Sequence, residues 1–164
     1  MPVMQVNVQR FSVISAKPFE DVLQAVDDAI GHPNLPAMQR DVAAATTYPE
    51  MESIINKVTG PTGLMEFMRL DMGMYLAKGR PGKSPRSHRL LVGNPLIMRR
   101  MAEHVPDAAS YAPVTILIDE REDGVHLSYD RMASFLASYA NAEASAVAVD
   151  LDRKVEAMLT EAAG

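Results

Sequence analysis

From Ala144 to Ala162, eight apolar residues recur at helical spacing: Ala144, Val147, Ala148, Leu151, Val155, Met158, Leu159 and Ala162. That periodicity predicts one long amphipathic helix. A stripe of this length must be buried. Two partners are open to it: a sheet of the same chain, or a second copy of the chain.

The rest of the sequence supplies a sheet. Val114 to Asp119 and Val125 to Tyr129 read as strands. The connection Glu120-Arg121-Glu122-Asp123-Gly124 joins them, and Asp-Gly in a short polar link signals a hairpin. Residues 5–14 read as a further strand: Val6 and Val8 alternate with polar residues, and Phe11, Val13 and Ile14 follow. Leu64 to Leu70 and Leu90-Leu91-Val92 complete the set, and Asp71 to Lys78 is left between a short helix and a bent strand.

Helices alternate with these strands. Pro18 suits a first turn, and Phe19, Val22, Leu23, Val26, Ala29 and Ile30 share one face ahead of the stop at Gly31. Residues 37–59 read as two helical pieces broken at Thr47-Tyr48-Pro49. Leu96 to Val105 forms another helix, ended by Pro106, and Asp130 is placed to cap a helix through about Ser138. The fold class is α+β: one compact domain over 1–164, with a mixed sheet of about four to five strands packed against helices.

Composition bounds the function. The chain has 164 residues, 48% hydrophobic and 23% charged, enough for one core without staples. It has no cysteine, so thiolate nucleophiles, thiolate metal sites and disulfides are excluded. This fits a cytoplasmic protein. The N-terminus shows neither the basic nor the apolar segment of a signal peptide, and no apolar run is long enough to span a membrane. A net charge of −5 argues against general nucleic-acid binding.

The residues richest in chemistry lie between 71 and 100. Arg80, Lys83 and Arg86 sit in a Gly/Pro-rich loop, followed by His88, a strand and the turn Gly93-Asn94-Pro95. Gly93 permits a close backbone approach, Asn94 is a candidate N-cap, and Pro95 suits the first helical position. Cations near free amides at a helix start can hold an anion, with Asp71 or His88 as acid or base. The competing reading is a solvated basic loop and an ordinary cap. Gly82-Lys83-Ser84 is not a phosphate loop, because Ala77 stands where that motif needs glycine. The four histidines show no metal-ligand spacing, the acidic hairpin lacks the alternating ligands of a calcium loop, and no serine sits in a nucleophile elbow. No metal and no cofactor is implied. Twelve methionines are many. Met65, Met68, Met72 and Met74 cluster in sequence and would either fill a core or line an adaptable pocket.

The order of Leu90-Leu91-Val92-Gly93-Asn94-Pro95, a Met-rich helix, Pro106, Ala112-Pro113-Val114-Thr115-Ile116-Leu117-Ile118 and a hairpin resembles the bacterial and archaeal family called domain of unknown function number 302. The opening strand and helix and Leu70-Asp71 fit as well, so the resemblance covers residues 5–30 and 64–139. It implies a sheet backed by helices, and a homodimer. Many members carry cysteines where this chain has Gly93 and Val114, so no thiol role carries over. Residues 32–63 read as an inserted helical segment.

Function therefore stands between two classes. One is a non-catalytic domain for a small apolar or amphipathic molecule or for protein interaction, with the Met-rich segment and the helices of 32–63 as its lining. The other is an enzyme on an anionic small molecule, using Asp71, Arg80, Lys83, Arg86, His88, Gly93 and Asn94. Convergence of Asp71, His88 and Asn94 in one pocket favours the enzyme; a wide apolar groove without them favours binding.

Overall fold

In the computed structural model, which describes residues 3–164, the C-terminal stripe forms α8 (Ala142–Ala163). Its apolar face is buried along its whole length within the main core. The face lies against β1 (Arg10–Ser15), β5 (Gly124–Asp130), α1 (Phe19–Ala29), α5 (Pro95–Ala102) and α7 (Met132–Leu136). The stripe is thus consumed inside the chain and offers nothing to a second copy.

The sheet has five strands in the order β1-β5-β4-β3-β2, with β2 at Met65–Asp71, β3 at Ser87–Gly93 and β4 at Val114–Arg121. Every ladder is antiparallel, which corrects the mixed sheet anticipated from sequence. Among the described residues, the only parallel pairing is an isolated bridge between Gly31 and Met65. Period-two patterning tells which face is buried but not strand direction.

On the covered face, Leu90, Val92, Ile116, Ile118, Leu127 and Tyr129 are fully buried. The opposite face carries no helix and alternates to Arg10, Ser12, Ile14, Ser128, Thr115, Arg89 and Leu70. One such solvated face is ordinary for an antiparallel sheet.

β1 starts only at Arg10, because its partner β5 ends at Asp130. The Val6/Val8 alternation thus lies outside the sheet. The two helical pieces read at 37–59 are α2 (Leu35–Ala44) and α3 (Tyr48–Asn56). α3 opens with a full capping box between Thr47 and Glu50. The ambiguous 71–78 stretch holds the short helix α4 (Gly73–Leu76), and α6 (Ala108–Tyr111) leads into β4.

α7 is not capped by Asp130, which instead binds the Arg10 guanidinium at 2.7 and 2.9 Å. The cap comes from Asp152 of α8. Its Oδ1 accepts the Met132 N–H at 2.7 Å and its Oδ2 the Ala133 N–H at 3.0 Å. The buried Tyr129 hydroxyl also donates to Asp152. Burial pushes the Asp152 carboxyl above its ordinary range, against the pull of these bonds.

Candidate functional site

Asn94 caps α5 through Oδ1, which accepts the Leu96 N–H at 2.8 Å, while Pro95 occupies the first helical position. Its amide also donates to the Gly63 carbonyl at 2.8 Å and so ties the helix start to the loop before β2. At Gly93 a Cβ would lie 3.2 Å from Pro113 Cβ, so the strand end and the start of β4 approach closely there. The turn reads from sequence as it stands in the structure.

The basic loop is elsewhere. Arg86 binds Glu120 with two bonds of 3.1 Å and Glu20 with one of 3.0 Å, and its guanidinium lies 5.1 Å from the centre of the Phe19 ring. Lys83 also reaches Glu120, at 3.3 Å. These donors hold the Glu120 carboxyl below its ordinary range. Two of the three loop cations are thereby neutralised by the protein, and Arg80 is exposed with no ion pair among the described residues. Asp71 caps the turn into α4 by accepting the Met74 N–H at 3.1 Å. His88 pairs with Asp71 in register, packs 5.6 Å from Phe19, and leaves Nδ1 buried without a partner.

Asp71, Arg86 and His88, with Lys83 and Arg80 nearby in the chain, thus gather at the first end of β3. Gly93 and Asn94 stand at its other end. Six residue steps of extended chain separate His88 from Asn94, roughly 20 Å. The seven residues do not form one pocket.

An apolar groove of about 690 Å³ lies between α2, α3, α5 and β2. Met38, Met51, Met98, Phe67, Val42 and Ile55 supply most of its wall. Its polar groups are Gln39, Arg99 and Glu103. Beneath it, Met38, Ile55, Met65 and Leu96 form a second small core separate from the main one. A smaller hollow of about 90 Å³ shares Phe67, Pro95 and Met98 with the groove and reaches Asn94. The turn therefore borders the groove.

The methionines are not those singled out by their proximity in sequence. Met65 is buried in the floor, and Met68 and Met74 point to solvent. The groove draws instead on one methionine from each of three helices, which no local cluster in the sequence could reveal.

One carboxylate–histidine group assembles across the fold. Asp27, His32 and Glu66 bring ligand atoms within 4.8 Å of one another. Arg69 already occupies their midst and binds both carboxylates, Glu66 at 3.0 Å through Nε. The guanidinium supplies the positive charge that these groups require.

Helices covering one face of a five-stranded antiparallel sheet, with an Asn-Pro turn at the end of its fourth strand in spatial order, define the class. The chain belongs to the family described as domain of unknown function DUF302, whose profile matches residues 38–162. Among solved structures, the uncharacterized conserved protein DUF302 from Bacillus stearothermophilus is similar with a TM-score of 0.64 and 9% identity. The match covers 94% of this chain and 98% of that one, and it shows a shared fold. Comparison with curated proteins finds no match. Among the described residues, no helix is long and apolar enough to cross a membrane.

Proposed function

We propose that this protein is a non-catalytic binder of a small apolar or amphipathic molecule, held in the groove between α2, α3 and α5. The groove carries the reading. Its volume of about 690 Å³ falls in the range of small-molecule sites, ~300–1,000 Å³. Its wall is almost wholly apolar, and unbranched methionines let it adapt to an occupant. The enzyme alternative needs Asp71, His88 and Asn94 together, and β3 holds them apart. The cysteine-free sequence supports a cytoplasmic setting.

The test is titration with Nile red, an uncharged dye that brightens in apolar surroundings. Saturable one-to-one binding is the expected result. Ala43 lines the groove from an exposed position, so Ala43→Trp fills the space without entering the core. It should abolish binding without lowering the melting temperature. Equal binding by wild type and variant would place the dye elsewhere and refute the reading.

A homodimer is also proposed, but through a different surface from α8. Met68, Leu70, Met74, Tyr75 and Leu76 are all exposed along β2 and α4, beside the helix-free sheet face. Clustered exposure of large apolar groups supports an interface. Sedimentation at micromolar concentration, with Leu70→Lys as the dissociating variant, decides it; a monomeric wild type ends the proposal.

A further inference from the structure

Resting on the groove reading above, the geometry points to one class of occupant: we infer that the groove takes a straight-chain aliphatic carboxylate, its chain among the methionines and its head on Arg99.

The inference comes from the groove's charges. Arg99, in the last turn of α5, is the one cation in the wall, and Glu103, the residue that closes that helix, is the one anion. They do not pair: no carboxylate lies within 4.0 Å of Arg99 among the described residues. Glu103 has the His104 ring at 3.8 Å. Arg99 has only an aromatic face, its guanidinium carbon lying 4.5 Å from the centre of the Tyr48 ring. Six other arginines (10, 69, 86, 121, 131 and 153) each hold a carboxylate of the protein. Packing on a ring steadies a guanidinium while leaving its in-plane N–H donors available for a bidentate acceptor. A carboxylate matches that fork; an alcohol supplies one oxygen and no charge, and an ammonium is repelled.

The walls set the other half of the ligand. Met38, Met51 and Met98 are unbranched and polarisable, and with Phe67 they suit a flexible methylene chain. Each further methylene buried should tighten binding about fourfold, the transfer value for one such group.

The experiment is isothermal titration of the full chain with decanoate, 1-decanol and decyltrimethylammonium, each below its micelle concentration. Wild type should bind decanoate about tenfold more tightly than decanol, the margin of a charge-assisted hydrogen bond over a neutral one. Octanoate should bind more weakly than decanoate. Arg99→Gln should bring decanoate down to decanol while leaving decanol unchanged, and Arg99→Lys should recover part of the difference. Arg99 is exposed, so neither variant threatens the fold. If wild type binds decanol or the ammonium as well as decanoate, the head-group assignment falls and the groove reading stands. If none of the three binds, the groove reading falls with it. Self-association that excludes decanoate would make a second copy the occupant and overturn the inference.

Discussion

Asn94→Ala tests the turn that joins the groove to the fold. The wild-type side chain makes two bonds, both partly buried: Leu96 N–H to Oδ1 and Nδ2–H to the Gly63 carbonyl, each 2.8 Å. Loss of an N-cap costs about 1 kcal/mol. Loss of the second bond, with the carbonyl left facing a methyl group, costs about another 1 kcal/mol. The sum of about 2 kcal/mol corresponds to a fall in melting temperature of roughly 4–8 °C for a domain of this size. Asn94→Asp separates the two parts, because it keeps the acceptor for Leu96 and loses the donor for Gly63. Its cost should be about half that of alanine. Urea denaturation followed by circular dichroism reads both, with equal slopes required for the comparison. Nile red titration of the same variants reads the groove, because Pro95 lines it directly after Asn94. Alanine should weaken the dye more than aspartate does. A stability change below about 0.5 kcal/mol for Asn94→Ala, within the ordinary scatter of surface substitutions, would refute the double role.

Three further perturbations follow from the geometry. Asp152→Ala strands the Met132 and Ala133 amides and the Tyr129 hydroxyl, so a loss of about 3 kcal/mol in chemical denaturation is expected; a loss under 1 kcal/mol would mean that water replaces the cap. Glu120 has a carboxyl held below its ordinary value near 4.5 by Arg86 and Lys83. Its contribution is complete above that value and is lost as pH falls through the lower folded value, so Glu120→Gln should flatten the acid limb of the stability profile and change little near neutrality. Gly31→Ala would put a Cβ 2.0 Å from the Val58 carbonyl oxygen, so it should cost about 3 kcal/mol or more in melting experiments; a near-wild-type variant would show that this crossing of chains is loose.

Elements whose stabilising partners lie within a few residues were legible in the sequence. The α8 stripe, the hairpin at Asp123-Gly124 and the Asn94-Pro95 helix start each declare themselves locally, and each stands where it was read. Features that depend on distant partners were not. The pattern of Val6 and Val8 suits a strand, but no neighbour extends that far. Asp130 sits in the right place for a cap, yet Arg10 takes it, and Asp152 reaches α7 from twenty residues away. The candidate site residues were separated for the same reason. Loop cations and the turn at Asn94 are close in sequence, but an extended strand lies between them and separates them as widely as six residues allow. Two of the three loop charges that looked available for a ligand, Lys83 and Arg86, were already taken by Glu20 and Glu120.

The groove follows from how the sheet is covered. α8 and α1 pack over the strands from β1 to β4, and their apolar residues close into one continuous core. At the β2 end the cover passes to α2, α3 and α5, and the buried apolar cluster there is Met38, Ile55, Met65 and Leu96. Four such residues cannot close the wedge between three helices and a strand. Protein interiors elsewhere pack as densely as organic crystals, and apolar surface left facing water forgoes ~25 cal/mol per Å². Larger side chains at Ala43 and Ala102 would fill the wedge, and the small residues there keep it open. An occupant with a methylene chain would supply the missing contacts, and by binding only the folded state it would stabilise the smaller of the two cores. The melting temperature should therefore rise with decanoate concentration, and Ala43→Trp should stabilise the free protein while removing that rise.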